Sequence, residues 1–239
     1  MAIGSQPRWT VRTADTQVDI DVGLRQYMLR IYNYMASALA LTGIVAYAFA
    51  GYLETHREVL HSPVMWLIIL APLGLVLLLS YGINRLSVPA AQGLFWLYAG
   101  LMGLSMSTIF LAYTSSSIAR VFFITGGTFA AMSLYGYTTR RDLSQMGSFL
   151  FMGLIGIVIA SVVNMFIGSS ALQFAISVIG VVVFTGLTAW DTQQIKEMYW
   201  ENDGYELAGK KAILGALRLY LDFVNLFMML IQLLGVRRD

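Results

Sequence analysis

Seven long apolar runs most tightly constrain what this chain can fold into. A helix needs about 20 consecutive apolar residues to cross the hydrocarbon core of a bilayer. Seven runs of this length follow one another, and each is nearly free of charge except the last. Their bounds are 33–53, 64–83, 94–113, 118–137, 148–167, 171–190 and 212–234. The pattern predicts an all-α integral membrane protein built as a bundle of seven transmembrane helices.

The polar residues are confined to the segments between these runs. Charged residues make up 12% of the 239 residues, about half the share in a soluble domain. The first 32 residues have no apolar block, so we expect residues 1–32 to form a cytoplasmic tail without a cleavable signal peptide. We expect residues 33–239 to form the membrane domain. The net charge of +2 is too small to indicate a basic surface that binds nucleic acid. The absence of cysteine excludes disulfides and thiolate chemistry.

Lysine and arginine in the connections indicate the orientation. Cytoplasmic loops of membrane proteins carry an excess of these residues. With the N-terminus inside, ten of them lie in the cytoplasm and two lie outside. Arg237 and Arg238 would also lie outside if the last run crosses completely, which argues that this run does not cross completely or that it is unusual. We expect a cytoplasmic N-terminus.

The last run differs from the others because it carries polar side chains along one face. Arg218, Asp222, Asn225 and Gln232 are spaced at 0, 4, 7 and 14 residues, which places them on one stripe of a helix. Lipid cannot face such a stripe, so the helix must lie inside the bundle or line a wet cavity. A simpler interpretation is an ion pair between Arg218 and Asp222, one turn apart, that only holds the helix in place.

Asp191 follows the sixth run, where a carboxylate would ordinarily lie in water beyond the helix end. Residues 192–198 contain no Gly or Pro, however, so we expect the helix to continue for two more turns and to take Asp191 below the surface. With the N-terminus inside, Asp191 and Asp222 then approach from the same side, joined by a long charged connection at 198–211. Two carboxyl groups in one low-dielectric site do not both ionise cheaply, so we expect them to share a proton.

These residues exclude several classes of enzyme and leave two kinds of function open. Paired membrane aspartates occur in aspartyl intramembrane proteases, but Asp222 follows Leu-Tyr-Leu rather than the presenilin-type Gly-x-Gly. The two histidines lie in the first connection, away from any nucleophile, and no glycine-rich phosphate motif is present. What remains is ion or proton movement, or a non-transporting regulator that acts through protein partners. Asp191, Asp222 and Asn225 offer the oxygen ligands that Ca²⁺ prefers.

Two segments around these aspartates resemble the signature regions of a known family. Residues 184–193, Phe-Thr-Gly-Leu-Thr-Ala-Trp-Asp-Thr-Gln, and residues 215–227, Gly-Ala-Leu-Arg-Leu-Tyr-Leu-Asp-Phe-Val-Asn-Leu-Phe, resemble those of the Bax-inhibitor family. This family is also called the transmembrane Bax-inhibitor-motif proteins. Residues 133–143 and 153–158 are similar to its bacterial branch. The resemblance extends over about residues 25–238.

The resemblance implies a seven-helix bundle with the last helix at its centre and no enzymatic activity. It further implies a pH-sensitive calcium leak in which Asp191 and Asp222 are the sensor, with Ca²⁺ as the transported ion rather than a bound cofactor. A second-helix arginine engages this pair in the family. Arg85 is the nearest match here, and Arg218 is a competing cation. The bacterial motifs indicate the inner membrane of a bacterium, and some bacterial members associate with a membrane protease.

Overall fold

The computed structural model describes the backbone of residues 12–238 and the side chains of residues 22–238. Within this part of the chain all regular structure is helical, without a named β-strand. The α-helices are α1 (Arg12–Thr55), α2 (Pro63–Gly82), α3 (Val88–Met106), α4 (Thr108–Ala112), α5 (Ser115–Thr138), α6 (Ser144–Ile167), α7 (Ser170–Glu197) and α8 (Tyr205–Leu234). Short 3-10 turns lie at Arg57–His61 and Ile83–Arg85. Taking α3 and α4 as one span, seven segments are long and apolar enough to cross a membrane, which confirms the predicted fold class.

Serine, proline and glycine set several helix ends. The Ser87 hydroxyl accepts a hydrogen bond from the amide of Ala90 and caps α3, and the Ser169 hydroxyl caps α7 in the same way through Leu172. These bonds satisfy amides that have no partner within the helix. Pro63 begins α2, where its fixed φ suits the first helical position. Gly168 ends α6 with a φ of 67°, a conformation that glycine adopts without strain.

Three boundaries differ from those predicted. Helix α1 begins at Arg12 and runs unbroken into the first span, and Tyr27, Met28 and Ile31 are buried in the core. Residues 1–11 of the predicted tail lie outside the described residues, and the division of the chain at position 32 stays a prediction. Helix α8 begins at Tyr205, so the expected 198–211 connection is shortened to 198–204, and the third span is interrupted between α3 and α4.

The last helix lies at the centre of the bundle. Helix α8 packs against α1, α3, α5 and α7. In its most apolar stretch 67% of the residues are buried, against 17–39% in the other six spans. Helices α2 and α6 are the least buried, and their outer faces carry large apolar side chains such as Trp66, Leu67 and Phe149. This arrangement confirms the expected central helix and gives the bundle an apolar surface suited to lipid.

The spans alternate in direction and give the bundle two faces. The N-terminal face carries the beginning of the first span and the connections near 83–87, 139–143 and 198–204. The C-terminal face carries the connections near 56–62, 113–114 and 168–169 together with the chain end. There the amide of Thr114 donates to the carbonyl of Val236 over 3.0 Å, and Arg238 pairs with Glu54. Helix α8 therefore crosses the bundle completely, contrary to the expectation drawn from Arg237 and Arg238.

Candidate functional site: a buried aspartate pair

Asp191 and Asp222 both lie well inside the bundle. Helix α7 continues to Glu197, which places Asp191 six residues, or about 9 Å, inside the helix end. This agrees with the prediction that the helix extends past Asp191. Asp222 lies seventeen residues, or about 25 Å, along α8 from Tyr205. Helices α7 and α8 are antiparallel neighbours, and Ile195 of α7 lies next to Gly215 of α8, so Asp191 and Asp222 both lie deeper in the bundle than this contact.

The two carboxyl groups face each other between α7 and α8. Asp222 is 5% exposed and the Asp191 side chain is 14% exposed. Each carboxyl group lies within electrostatic range of the other. The Oδ2 atom of Asp222 is buried and has no hydrogen-bond partner among the described residues. Two carboxyl groups that meet in such surroundings need a shared proton or a cation between them.

Arg218 provides a cation at this pair. Its Nη1 atom lies 3.8 Å from Oδ1 of Asp191, on the neighbouring helix, and its side chain is half-exposed. This separation is too long for a hydrogen bond, so the interaction is one of charge alone. The local ion pair between Arg218 and Asp222 that the sequence allowed is not formed. Arg218 instead reaches across to the carboxyl group on the neighbouring helix α7.

Tyr27 adds a second unpartnered polar group near Arg218. This side chain on α1 is buried, and its hydroxyl has no hydrogen-bond partner among the described residues. It lies within electrostatic range of Arg218 and Asp203, and its ring packs on that of Tyr199 at 5.5 Å between centroids. Buried polar groups are nearly always paired in proteins, so unpaired atoms on Asp222 and Tyr27 point to a site with a task beyond packing.

The remaining predicted residues lie further from the pair. Asn225 is one turn beyond Asp222 and only partly buried, and its side chain forms no hydrogen bond with the described residues. Arg85 ends the 83–85 turn at the N-terminal face, where it is exposed and forms no ion pair within 22–238. The structure thus brings together Asp191, Asp222 and Arg218, but not Arg85.

The pair offers fewer ligands than a complete metal site. Among residues 22–238 no three His, Cys, Asp or Glu side chains are grouped as a metal site would require. Calcium takes six to eight oxygen ligands. The pair offers four carboxyl oxygens, and Asn225 lies one turn away on α8. These side chains alone would leave the coordination shell of Ca²⁺ incomplete.

A second polar cluster lies where α6, α7 and α8 approach the C-terminal face. The Oε1 atom of Gln232 accepts hydrogen bonds from Gln173 Nε2 at 2.6 Å and from Ser177 Oγ at 2.8 Å. The side-chain amide of Asn164 donates to Gln173 over 3.0 Å. We call these four residues the amide cluster. Gln232 belongs to the polar stripe predicted on the last run, whereas Gln173 and Ser177 were not singled out. Their spacing of four residues on the helix antiparallel to α8 was the available signal.

Hydroxyl groups link three helices beside Asp191. The Tyr32 hydroxyl on α1 bonds to Ser133 on α5 at 2.6 Å, and Ser133 bonds to Thr192 on α7 at 3.0 Å. Thr192 and Thr188 each donate to a carbonyl oxygen of their own helix. These bonds fix the position of α7 next to Asp191 and do not form an open path.

Comparisons with known proteins agree on one family. The family model described as "Inhibitor of apoptosis-promoting Bax1" matches residues 24–239. A protein of Rickettsia prowazekii is 51% identical over 96% of this chain and 98% of its own length. The inner membrane protein YbhL of Escherichia coli is 48% identical over 94% of this chain and 97% of its own length. A protein of Borreliella burgdorferi is 45% identical, with 90% and 93% covered.

Proposed function

This chain belongs to the Bax-inhibitor family, and from its buried aspartate pair we propose that it is a pH-sensitive calcium leak of a bacterial inner membrane. The observation that carries the proposal is the contact between Asp191 and Asp222 deep inside the bundle. One Asp222 oxygen there lacks a partner, and Arg218 balances the charge incompletely from 3.8 Å. A pair that only held the helices together would be expected to satisfy all of its polar atoms.

The proposed mechanism follows from the charge on the pair. With one shared proton the pair carries a single negative charge, Arg218 offsets it, and α7 and α8 stay together. Loss of the proton leaves two negative charges in contact, and these either separate or recruit a second cation. Calcium is a suitable recruit because it prefers carboxylate oxygens. Protons and Ca²⁺ therefore compete for the same oxygens, so the flux should rise as the pH rises.

The decisive experiment is calcium flux into liposomes that contain only this purified protein, measured across pH. Asp191→Asn and Asp222→Asn each remove one titrating group and keep its size, so each should flatten the pH dependence. The double variant should add little, because the pair acts as one unit. Asp142→Asn is the matched control. Asp142 is an exposed carboxylate beyond the end of α5, and hydrogen bonds from Ser144 lower its pKa.

The outcomes separate the two open functions. A wild-type pH profile in both single variants would make the pair structural. Liposomes that stay tight with the wild-type protein at every pH would contradict the leak. They would support a regulator that works through other membrane proteins.

We also propose that the N-terminal face lies in the cytoplasm. The excess of Lys and Arg in the connections at this face supports the orientation. The excess of Lys and Arg in cytoplasmic loops is a rule for inner membrane proteins of bacteria, and the Escherichia coli relative is an inner membrane protein. Reporter fusions after Arg30 and after Asp142 should both report the cytoplasm. Opposite readings from the two fusions would contradict the orientation.

A further inference from the structure

A long groove separates α1 from α5 on the outside of the bundle. Both helices pack against α8 but scarcely touch each other. The space between them has a volume of about 830 Å³, and Phe223 of α8 forms its floor. The groove is thus closed on three sides by protein and open on the fourth.

Small side chains line both walls of this groove. Ala36 and Ala40 lie on α1, and Gly126, Gly127 and Ala130 lie on α5. Small residues usually let membrane helices approach closely, but a Cβ added at Gly126 or Gly127 would meet no atom within 4 Å. The Tyr32 and Ser133 hydroxyls join α1 to α5 at 2.6 Å near one end of the groove. Near the other end, the Phe122 ring of α5 packs on Phe223 of α8 at 5.4 Å between centroids, so α5 rests there on α8 rather than on α1.

The position of the groove determines what surrounds its open side. Both walls belong to membrane-spanning helices, so the open side faces hydrocarbon. From Leu29 to Ala40 the α1 wall rises about 16 Å, which is close to half of the roughly 30 Å hydrocarbon core. The groove therefore spans one leaflet, on the side of the N-terminal face.

Charge is found at one end of the groove only. Arg25 lies one turn outside Leu29, at the level expected for lipid headgroups. Lys196 lies over the ring of Tyr137, which lines the same end, at 5.4 Å from the ring centroid. The rest of the lining is almost entirely apolar. A cationic mouth above an apolar channel one leaflet long complements a molecule with an anionic head and a hydrocarbon tail.

We propose that this groove is a binding site for one phospholipid, with an acyl chain along α1 and α5 and the phosphate next to Arg25. A chain recessed on three sides loses fewer contacts when the surrounding lipid exchanges, so it should stay longer than lipid on the outer faces of α2 and α6. The site does not involve Asp191 or Asp222. Its existence therefore stands apart from the calcium leak.

The first test fills the groove. Gly127→Leu places a side chain in open space on the α5 wall, and Gly156→Leu on α6 is the matched control, since its Cβ also meets no atom within 4 Å. A spin-labelled phosphatidylglycerol in liposomes containing the protein reports lipids whose motion is restricted. Gly127→Leu should remove about one strongly restricted lipid per protein, and Gly156→Leu should remove none. Equal counts in the two variants would overturn the proposal.

A second test uses the unmodified chain and does not depend on the folding of a variant. A phosphatidylglycerol with a photoreactive acyl chain is incubated with the protein in liposomes, and the labelled peptides are identified. Label should concentrate on 29–40 and 123–134. Label spread evenly over these peptides and α6 would mean ordinary exchanging lipid and contradict the proposal. Protein dimers cross-linked through the same peptides would identify a second copy of the protein as the occupant of the groove. This result would also contradict the proposal.

The charge at the mouth gives the third measurement. Arg25→Gln should weaken retention of phosphatidylglycerol about fivefold, the factor expected for one cation at an anionic surface. Arg57→Gln, at the opposite face, should leave retention unchanged. If Arg25→Gln also left it unchanged, the phosphate would not lie where we propose.

Discussion

The two ends of the contact between α7 and α8 place polar side chains in opposite surroundings. Toward the N-terminal face the helices place Asp191 against Asp222, with an arginine at 3.8 Å and one carboxyl oxygen unpartnered. Toward the C-terminal face they place Gln232 against Gln173 and Ser177, and hydrogen bonds of 2.6 and 2.8 Å join the three. The first end is titratable and incompletely satisfied, and the second is neutral and well paired.

This difference indicates which end moves. A buried polar group without a partner destabilises the observed arrangement by about 1–3 kcal/mol. The free-energy difference between this arrangement of the aspartate pair and an alternative one is therefore small. The amide cluster gains nothing from rearrangement, because separation would leave its donors unpaired. We therefore expect α7 and α8 to part at the aspartate pair while the amide cluster acts as a fixed point. The predictions below test this contrast.

The largest effect is expected from adding a methyl group where α5 meets α7 beside the aspartate pair. In Gly136→Ala the new Cβ falls on the carbonyl oxygen of Ala189, two residues from Asp191, and the backbone cannot yield locally. In Gly180→Ala, nearer the amide cluster, the Cβ meets the flexible Met229 side chain at 2.6 Å. We expect Gly136→Ala to lower the free energy of unfolding by about 1–3 kcal/mol, and Gly180→Ala by less than half as much.

Denaturant unfolding in detergent measures both variants. Gly127→Ala is the control, because its Cβ meets nothing within 4 Å and alanine favours helix more than glycine does. It should be neutral or slightly stabilising. Equal losses from Gly136→Ala and Gly180→Ala would show that the two ends are packed equally rigidly.

The next effect concerns the cation at the aspartate pair. Arg218 favours the ionised form of the pair, so Arg218→Gln should move the pH of half-maximal calcium flux upward. The side chain is half-exposed and solvent weakens its effect, so about one pH unit is the upper limit. Arg85→Gln should leave the midpoint in place, because Arg85 forms no ion pair within 22–238. A midpoint that moved only in Arg85→Gln would restore the assignment made from family resemblance.

Much of the fold was predictable because the bilayer imposes strong rules on sequence. Seven apolar runs of about 20 residues were enough to count the spans, and the polar stripe of α8 was enough to require its enclosure. The extension of α7 past Asp191 followed from the absence of Gly and Pro. From this extension we expected Asp191 and Asp222 to approach each other.

The partners of these residues were less predictable, because they depend on neighbouring helices. Spacing on one helix paired Arg218 with Asp222, whereas the presence of α7 at this level offers Arg218 the carboxyl group of Asp191. The early start of α8 was missed because Glu206 and Lys210 indicate a connection by composition. In the structure they form an i, i+4 ion pair on its first turns. The groove could not be foreseen, since small residues ordinarily predict close packing.

A smaller effect is expected at the amide cluster. Gln232→Leu removes the oxygen that accepts from Gln173 and Ser177. Hydrogen bonds between membrane helices contribute about 0.6 kcal/mol on average, so the loss should be about 1 kcal/mol in the free energy of unfolding. The pH profile of calcium flux should keep its midpoint, because the cluster does not titrate. A midpoint shift comparable to that of Arg218→Gln would mean that the two ends move together.

The smallest effect is expected from the ion pair at the chain end. Arg238 Nη1 lies 2.7 Å from Glu54 Oε1, but both side chains are about half-exposed. Exposed pairs contribute about 0–1 kcal/mol, since water screens them and ordering two long side chains has an entropic cost. The backbone holds the tail independently, through the amide of Arg238 to Ala112 at 2.9 Å and that of Thr114 to Val236 at 3.0 Å. Arg238→Gln and Glu54→Gln should each change the free energy of unfolding by less than about 0.5 kcal/mol, and the double variant should show no larger coupling. A coupling above about 1 kcal/mol in this double-mutant cycle would mean that the ion pair, rather than backbone hydrogen bonding, holds the C-terminal face together. The fixed end of the bundle, opposite the aspartate pair, would then depend on charge.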